Sequence, residues 1–214
     1  YIGNMGVAQG MDIFIDLAAS LESRRDVGFL FVGRGSEVAR LTGRVRLRGL
    51  TNTLLFSEVD SCEMPGLLAQ CHIGLLALDP RHKTHNIPGK FLTYLLAGLP
   101  VLARVNEGTD IADLIAREDV GRVYVGESVE ALKDLAVELA DEATRLLGDD
   151  RRAAYESALV ERLARTEEIV GAVDPIRRYH QCPLGLVQHG RHLCPLHSRL
   201  DEAAELVEKV FADA

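Results

Sequence analysis

From Tyr1 to about Asp141, short runs of strand-forming residues alternate with amphipathic helical stretches. That alternation confines the chain to βαβ units built around a parallel sheet. The strand runs are Tyr1-Ile2, Val27 to Val32, Leu54 to Phe56, Ile73 to Leu78, Val101 to Val105 and Val120 to Val125. Val27 to Val32 is apolar almost throughout, the pattern of a strand covered on both faces. Between the runs, Ile13, Leu17, Ala18 and Leu21 fall on one helical face, with Arg24 and Arg25 at the end that the helix dipole favours. Glu63 to Cys71 reads as a short helix, and Phe91, Leu92, Leu95 and Leu96 supply the apolar face of another, ended by Gly98-Leu99-Pro100. Asp110 and Ser128 are N-cap candidates for two more, the second carrying Val129, Leu132, Leu135 and Leu139 on one side. The expected fold class is α/β: a Rossmann-like, doubly wound parallel sheet of about six strands flanked by helices.

Composition narrows the partners. The 214 residues carry a net charge of −8, so the field of the whole molecule disfavours nucleic acid as a sequence-independent partner, and any anion must be held by local groups. The longest near-apolar run, Leu67 to Leu78, has 12 residues and contains Gln70 and His72, short of the ~20 needed to span a bilayer. No transmembrane helix and no signal peptide is read, and four Cys without regular spacing make no disulfide framework, so a cytoplasmic setting is expected. Tyr1-Ile2-Gly3-Asn4 opens inside a strand-to-loop pattern without Met, which reads as a piece of something longer. Asp149 to Val170 is expected as a charged helix, Gly171 to Arg199 holds no period, and Asp201 to Phe211 regains helical spacing. The expected division is a Rossmann-like domain over 1–170, an irregular His/Cys/Pro segment over 171–199 and a terminal helix over 200–214.

Ligands of open parallel sheets bind at the carboxyl ends of the strands, so the loops there hold the candidate site. Gly3-Asn4-Met5-Gly6-Val7-Ala8-Gln9-Gly10 joins the first strand to a helix and lets backbone N–H groups approach an anion such as a diphosphate. Gly33-Arg34-Gly35-Ser36 follows a buried strand and opens a helix; its glycines fit a purely structural turn equally well. The most specific stretch is His85-Asn86-Ile87-Pro88-Gly89-Lys90, where polar groups, a helix N-terminus and a lysine converge on what a phosphate requires. Against this stands a plainer reading, with Lys90 a solvated first-turn residue and His85 a loop residue.

These residues resemble a family, the retaining nucleotide-sugar-dependent glycosyltransferases of family 4, with the two-Rossmann GT-B fold. Tyr1-Ile2-Gly3-Asn4 looks like the family's strand-and-glycine opening, Phe31-Val32-Gly33-Arg34-Gly35 like its V-G-x-G segment, and Ser57-Glu58-Val59 like the turn beside the base. Ile87-Pro88-Gly89-Lys90 through Gly98-Leu99-Pro100-Val101 resembles the I-P-S-K and E-Y-x-A-x-G-x-P-V box of bacterial envelope-polysaccharide members. The resemblance covers roughly residues 1 to 140, in the family's order. It implies the donor-binding C-terminal half of a GT-B enzyme, with a missing N-terminal half for the acceptor and no activity from this chain alone. It implies further a UDP-sugar donor, with an N-acetylated amino sugar as the guess within that class, and a lipid-linked or polysaccharide acceptor in lipopolysaccharide or related biosynthesis.

Carried over by position, the resemblance implies Gly3 and Gly6 at the donor diphosphate and Lys90 near phosphate or sugar, with Val59 near the base. The resemblance implies Gly33, Ile87, Pro88 and Gly89 in the same site. The family's paired glutamates fall on His85 and Thr93, and the basic residue often found near position 9 is Gln9, for which Arg34 is the candidate to compensate. A hydroxyl at Thr93 accepts hydrogen bonds less strongly than a carboxylate. No cofactor, metal or general base is required, and no paired-carboxylate hydrolase pattern is present. No catalytic residue is assigned.

Two other clusters stand outside these loops. Arg40, Arg44, Arg46 and Arg48 would suit a peripheral contact with the anionic inner membrane, although a solvated face explains them more simply. His180, Cys182, His189, His192, Cys194 and His197 are of zinc-ligating types but match no finger spacing, and an irregular tail is the preferred reading. Cys62 and Cys71 read as packing residues. The alternatives in function are a non-catalytic nucleotide-binding or scaffolding domain that has lost the glutamate pair, and, behind it, a dinucleotide-dependent oxidoreductase. The latter is disfavoured because Gly3 to Gly10 lacks the G-x-G-x-x-G spacing.

Overall fold

The structure is a computed structural model that describes residues 1–57, 59–60, 63–79, 81 and 87–147. Expectations at Glu58, Cys62 and His85, and everything from 148 onward including the His/Cys tail, lie outside the described residues. After a short 3-10 turn at Val7–Gln9, the order is α1 (Asp12–Ser20), β1 (Phe29–Val32), α2 (Val38–Arg48), β2 (Thr53–Phe56), α3 (Met64–Ala69), β3 (Gly74–Ala77), α4 (Gly89–Leu96), β4 (Val101–Arg104), α5 (Asp110–Glu118), β5 (Gly121–Tyr124) and α6 (Val129–Leu147). All strand pairing is parallel, β1 with β2 and β3-β4-β5 in order.

Among the described residues, the expected six strands become five. Tyr1-Ile2 forms only a bridge, Ile2 to Val32, although its backbone is bound on that side: Val32 N–H donates to Tyr1 O at 2.8 Å and Gly3 N–H to Val32 O at 2.9 Å. On the other side, the rung that a strand would form with β3 is supplied by a side chain. Ile2 N–H donates to the Tyr94 hydroxyl at 3.0 Å, and that hydroxyl donates to Leu75 O at 3.1 Å. Tyr94, 1% exposed, thereby joins the Ile2-β1-β2 half to the β3-β4-β5 half. The direction of strand addition reverses between Ile2 and β3, which makes their carboxyl ends the switch-point crevice where open α/β sheets bind ligands.

Side-chain alternation along the strands feeds two cores. Phe29 and Phe31 of β1, Leu75 and Ala77 of β3 and Leu102 of β4 pack with α1, α2 and α6. Leu76 of β3 and Val101 and Ala103 of β4 pack with Leu68 of α3, Phe91, Leu92 and Leu95 of α4, and Ile111 and Ile115 of α5. A strand buried on both faces is apolar in both registers, and burial of every residue of β3 and β4 explains the apolar runs Gly74–Ala77 and 101–103, with Arg104 the one charged residue buried at the end of β4. One of the two expected helix caps is found and the other is displaced by one residue. Ser128 caps α6 as predicted, its Oγ accepting Ala131 N–H at 3.3 Å. At α5 the capping position is Thr109, while Asp110 is the first helical residue.

Candidate functional site

The loop after Ile2 is held on both sides by backbone. Met5 N–H donates to Arg34 O at 2.7 Å, Glu37 N–H to Met5 O at 3.0 Å, and from the other flank Asp79 N–H to Ala8 O at 2.9 Å. This close approach is why the second loop contains glycines. A Cβ at Gly33 would lie 1.9 Å from Gly3 O, and one at Gly35 2.3 Å from Met5 O, both at positive φ. Gly33 and Gly35 therefore make room for the first loop, and the structural reading of that turn is the one the geometry supports. Arg34 is exposed, and its carbonyl belongs to this backbone seam.

Within the first loop, Gln9 turns back on the chain. Its Oε1 accepts Gly6 N–H at 2.9 Å and Asn4 Nδ2 at 3.1 Å, so the N–H expected to meet a diphosphate already holds a neutral oxygen. An anion at Gly6 would have to replace the Gln9 carboxamide.

Lys90 enters from the second helical position of α4, whose capping residue Pro88 has extended backbone. Its half-buried side chain reaches Gly3: a Cβ there would lie 4.0 Å from Lys90 Nζ. Nζ donates to the Tyr1 hydroxyl and lies 3.9 Å from the centroid of the Tyr1 ring, and that hydroxyl donates to Asn4 O at 2.5 Å. Burial pushes the Lys90 ammonium down to about 8, so it is mainly charged at neutral pH. Burial pushes the Tyr1 phenol up, which keeps its proton available for Asn4.

The carboxyl end of β3 closes the other side. Asp79, 9% exposed, accepts Arg81 N–H and Nε at 2.8 Å and Nη2 at 2.9 Å, and these bonds hold its carboxyl at about 2. Buried Arg104 donates to Leu78 O at 2.5 Å and to Gly126 O at 3.1 Å, tying the ends of β3, β4 and β5 together. Its burial lowers its proton affinity.

Of the expected residues, Gly3, Gly6, Gln9, Gly33 and Lys90 meet around one loop. Ile87, Pro88 and Gly89 lead into α4, with Ile87 half-buried against the second core. Thr93 is on the next turn, its hydroxyl donating to Gly89 O at 3.2 Å. Val59 is half-buried beyond β2. Tyr1, Asn4, Asp79 and Tyr94 were not among the expected site residues. Tyr1 in a strand run and Tyr94 inside a helical stretch read as apolar positions and gave no separate signal, whereas Asn4 and Asp79, polar residues just after strands, offered one that could have been followed.

The arginine cluster is not a free basic face. Arg40 pairs with Asp12 at 2.7 Å and Glu37 at 2.6 Å, Arg44 with Asp12 and, at 2.8 Å, Asp16, and Arg48 with Asp16 at 2.6 Å. Arg46 is exposed. The cluster fastens α2 to α1, which removes its main support for a membrane contact. Among the described residues, no helix is long and apolar enough to cross a membrane.

No protein-family model and no curated protein matches the sequence. Solved structures do match the fold. WaaG, a glycosyltransferase involved in lipopolysaccharide biosynthesis, matches at TM-score 0.58 and 19% identity over 84% of this chain and 47% of that one. S. aureus TarM, solved as a variant in complex with UDP and other ligands, matches at 0.61 and 12% over 84% of this chain and 35% of that one. The catalytic domain of cholesterol-α-glucosyltransferase from Helicobacter pylori matches at 0.58 and 14% over 75% of this chain and 95% of that one. The chain thus spans about half the length of WaaG and a third of TarM, and its fold is a Rossmann-like domain of the kind found in GT-B glycosyltransferases.

Proposed function

We propose that this chain is the donor-binding domain of a retaining, family 4 type glycosyltransferase. It would hold a nucleoside-diphosphate sugar, UDP-sugar as the favoured class, for transfer to a lipid-linked or polysaccharide acceptor in bacterial surface polysaccharide synthesis. The observation that carries the reading is the meeting of Lys90 with the Gly3–Gly10 loop at the switch point of a sheet shared with glycosyltransferases. Charge develops on the nucleoside diphosphate as it leaves, and a site that answers it with backbone N–H groups, the start of α4 and a lysine needs neither a metal nor a general base. The described residues supply donor binding, and transfer needs an acceptor-binding half as well. With Thr93 bonded to its own helix, the sugar and ribose contacts that carboxylates would make are expected from other groups.

Titration calorimetry tests this directly. UDP should bind in preference to NAD, and Lys90→Ala should weaken UDP by about tenfold or more, the scale of one charge-assisted hydrogen bond. Unchanged affinity in Lys90→Ala, or a preference for NAD, would overturn it.

A further inference from the structure

Two groups, one on α4 and one in the first loop, meet at a single hydroxyl. The Tyr1 hydroxyl accepts a hydrogen bond from Lys90 Nζ on α4 and donates its own to Asn4 O in the first loop at 2.5 Å, while the Tyr1 ring lies 3.9 Å beneath the same ammonium. A hydroxyl has one proton to give and lone pairs to receive, so this relay satisfies both ends. Tyr1 is itself fixed: it is 7% exposed, its ring packs 6.5 Å from Phe31, and its backbone is bound to Leu30 and Val32 of β1. A flexible lysine on a helix is thereby given a rigid partner rooted in the sheet.

Resting on the assignment of Lys90 to the donor phosphates, we propose that Tyr1 is a positioning residue that sets both the place and the charge of Lys90 over the first loop. The ring's electron-rich face and the hydroxyl oxygen both favour the charged lysine, opposing the desolvation that pushes it down to about 8. The other titratable groups around Tyr1 do not compete for this role. Burial pushes the Tyr94 phenol up, and Cys71 is a half-buried thiol whose Sγ donates to Leu67 O.

Tyr1→Phe keeps the ring and the packing but removes the relay. Competitive labelling of lysines with acetic anhydride across pH, read by mass spectrometry, gives the Lys90 titration in the free protein. Calorimetry with UDP gives its consequence. In Tyr1→Phe, Lys90 should titrate lower than in the parent, and UDP should bind about three- to tenfold more weakly at pH 7. The ratio of parent to variant affinity should approach one by pH 9.5, where Lys90 is neutral in both, and the substitution should have no effect in a Lys90→Met background. A Lys90 titration unmoved by Tyr1→Phe would overturn the proposal, as would an equal weakening at every pH or in Lys90→Met. If the parent binds no UDP at all, the donor-site reading fails separately, and the labelling still decides whether Tyr1 governs Lys90.

Discussion

Gly35 shows how little space separates the two loops that frame the site. Its φ of 147° belongs to a region that L side chains rarely adopt, and the neighbour a Cβ would meet, 2.3 Å away, is the Met5 carbonyl rather than a movable side chain. Gly35→Ala should therefore lower stability by about 2 to 4 kcal/mol in urea denaturation, combining backbone strain with a forced shift of the first loop. A loss below about 0.5 kcal/mol would mean that the seam is looser than these distances. The glycines of this turn were visible as glycines, but sequence could not say whether they faced a ligand or a neighbouring backbone, because both needs select the same residue. Gln9 was legible only as a missing charge; that its carboxamide bonds Gly6 and Asn4 depends on loop curvature that no spacing encodes.

Among the elements, the strands were the most legible part of the molecule, since β3 and β4 are buried on both sides and their apolar runs follow from that. The opening segment was over-read for the same reason: Tyr1-Ile2 has strand composition, yet its β3-facing side is bonded through the Tyr94 hydroxyl rather than through backbone. A period-based reading counts Tyr94 as one more apolar residue of α4 and cannot see its oxygen. Tyr94→Phe should leave Ile2 N–H and Leu75 C=O without their shared partner in a buried seam, at a loss of about 1 to 3 kcal/mol in denaturant unfolding. It should also raise amide exchange at Ile2 ahead of the β4 amides, so that uniform exchange across both halves would count against the hydroxyl as the joint. The arginines of α2 carried a signal that went unread: Asp12 and Asp16 are spaced i, i+4 on α1, which aligns them on one face towards Arg40, Arg44 and Arg48. The hydrogen bond from Arg40 is the main cause that holds the Asp12 carboxyl below the usual carboxylate range.

For the molecule as a whole, Lys90 links ligand affinity and stability to pH with opposite signs. Its folded-state value of about 8 lies below that of an unfolded-chain lysine, about 10.4, so between those values the unfolded state binds more protons and this residue makes stability rise with pH. UDP binding acts the other way, because the nucleotide needs the charged lysine, whose fraction falls from about nine-tenths at pH 7 to about one-tenth at pH 9. Affinity should drop about tenfold over that interval. At a fixed saturating concentration of UDP, the stabilisation it confers should shrink by about 1.4 kcal/mol, seen as a smaller rise in Tm. Thermal shift at both pH values, with and without UDP, separates the two trends, and Lys90→Met should flatten both. A UDP-induced rise in Tm that stays constant from pH 7 to pH 9 in the parent would remove Lys90 from the phosphate site, whatever the fold resembles.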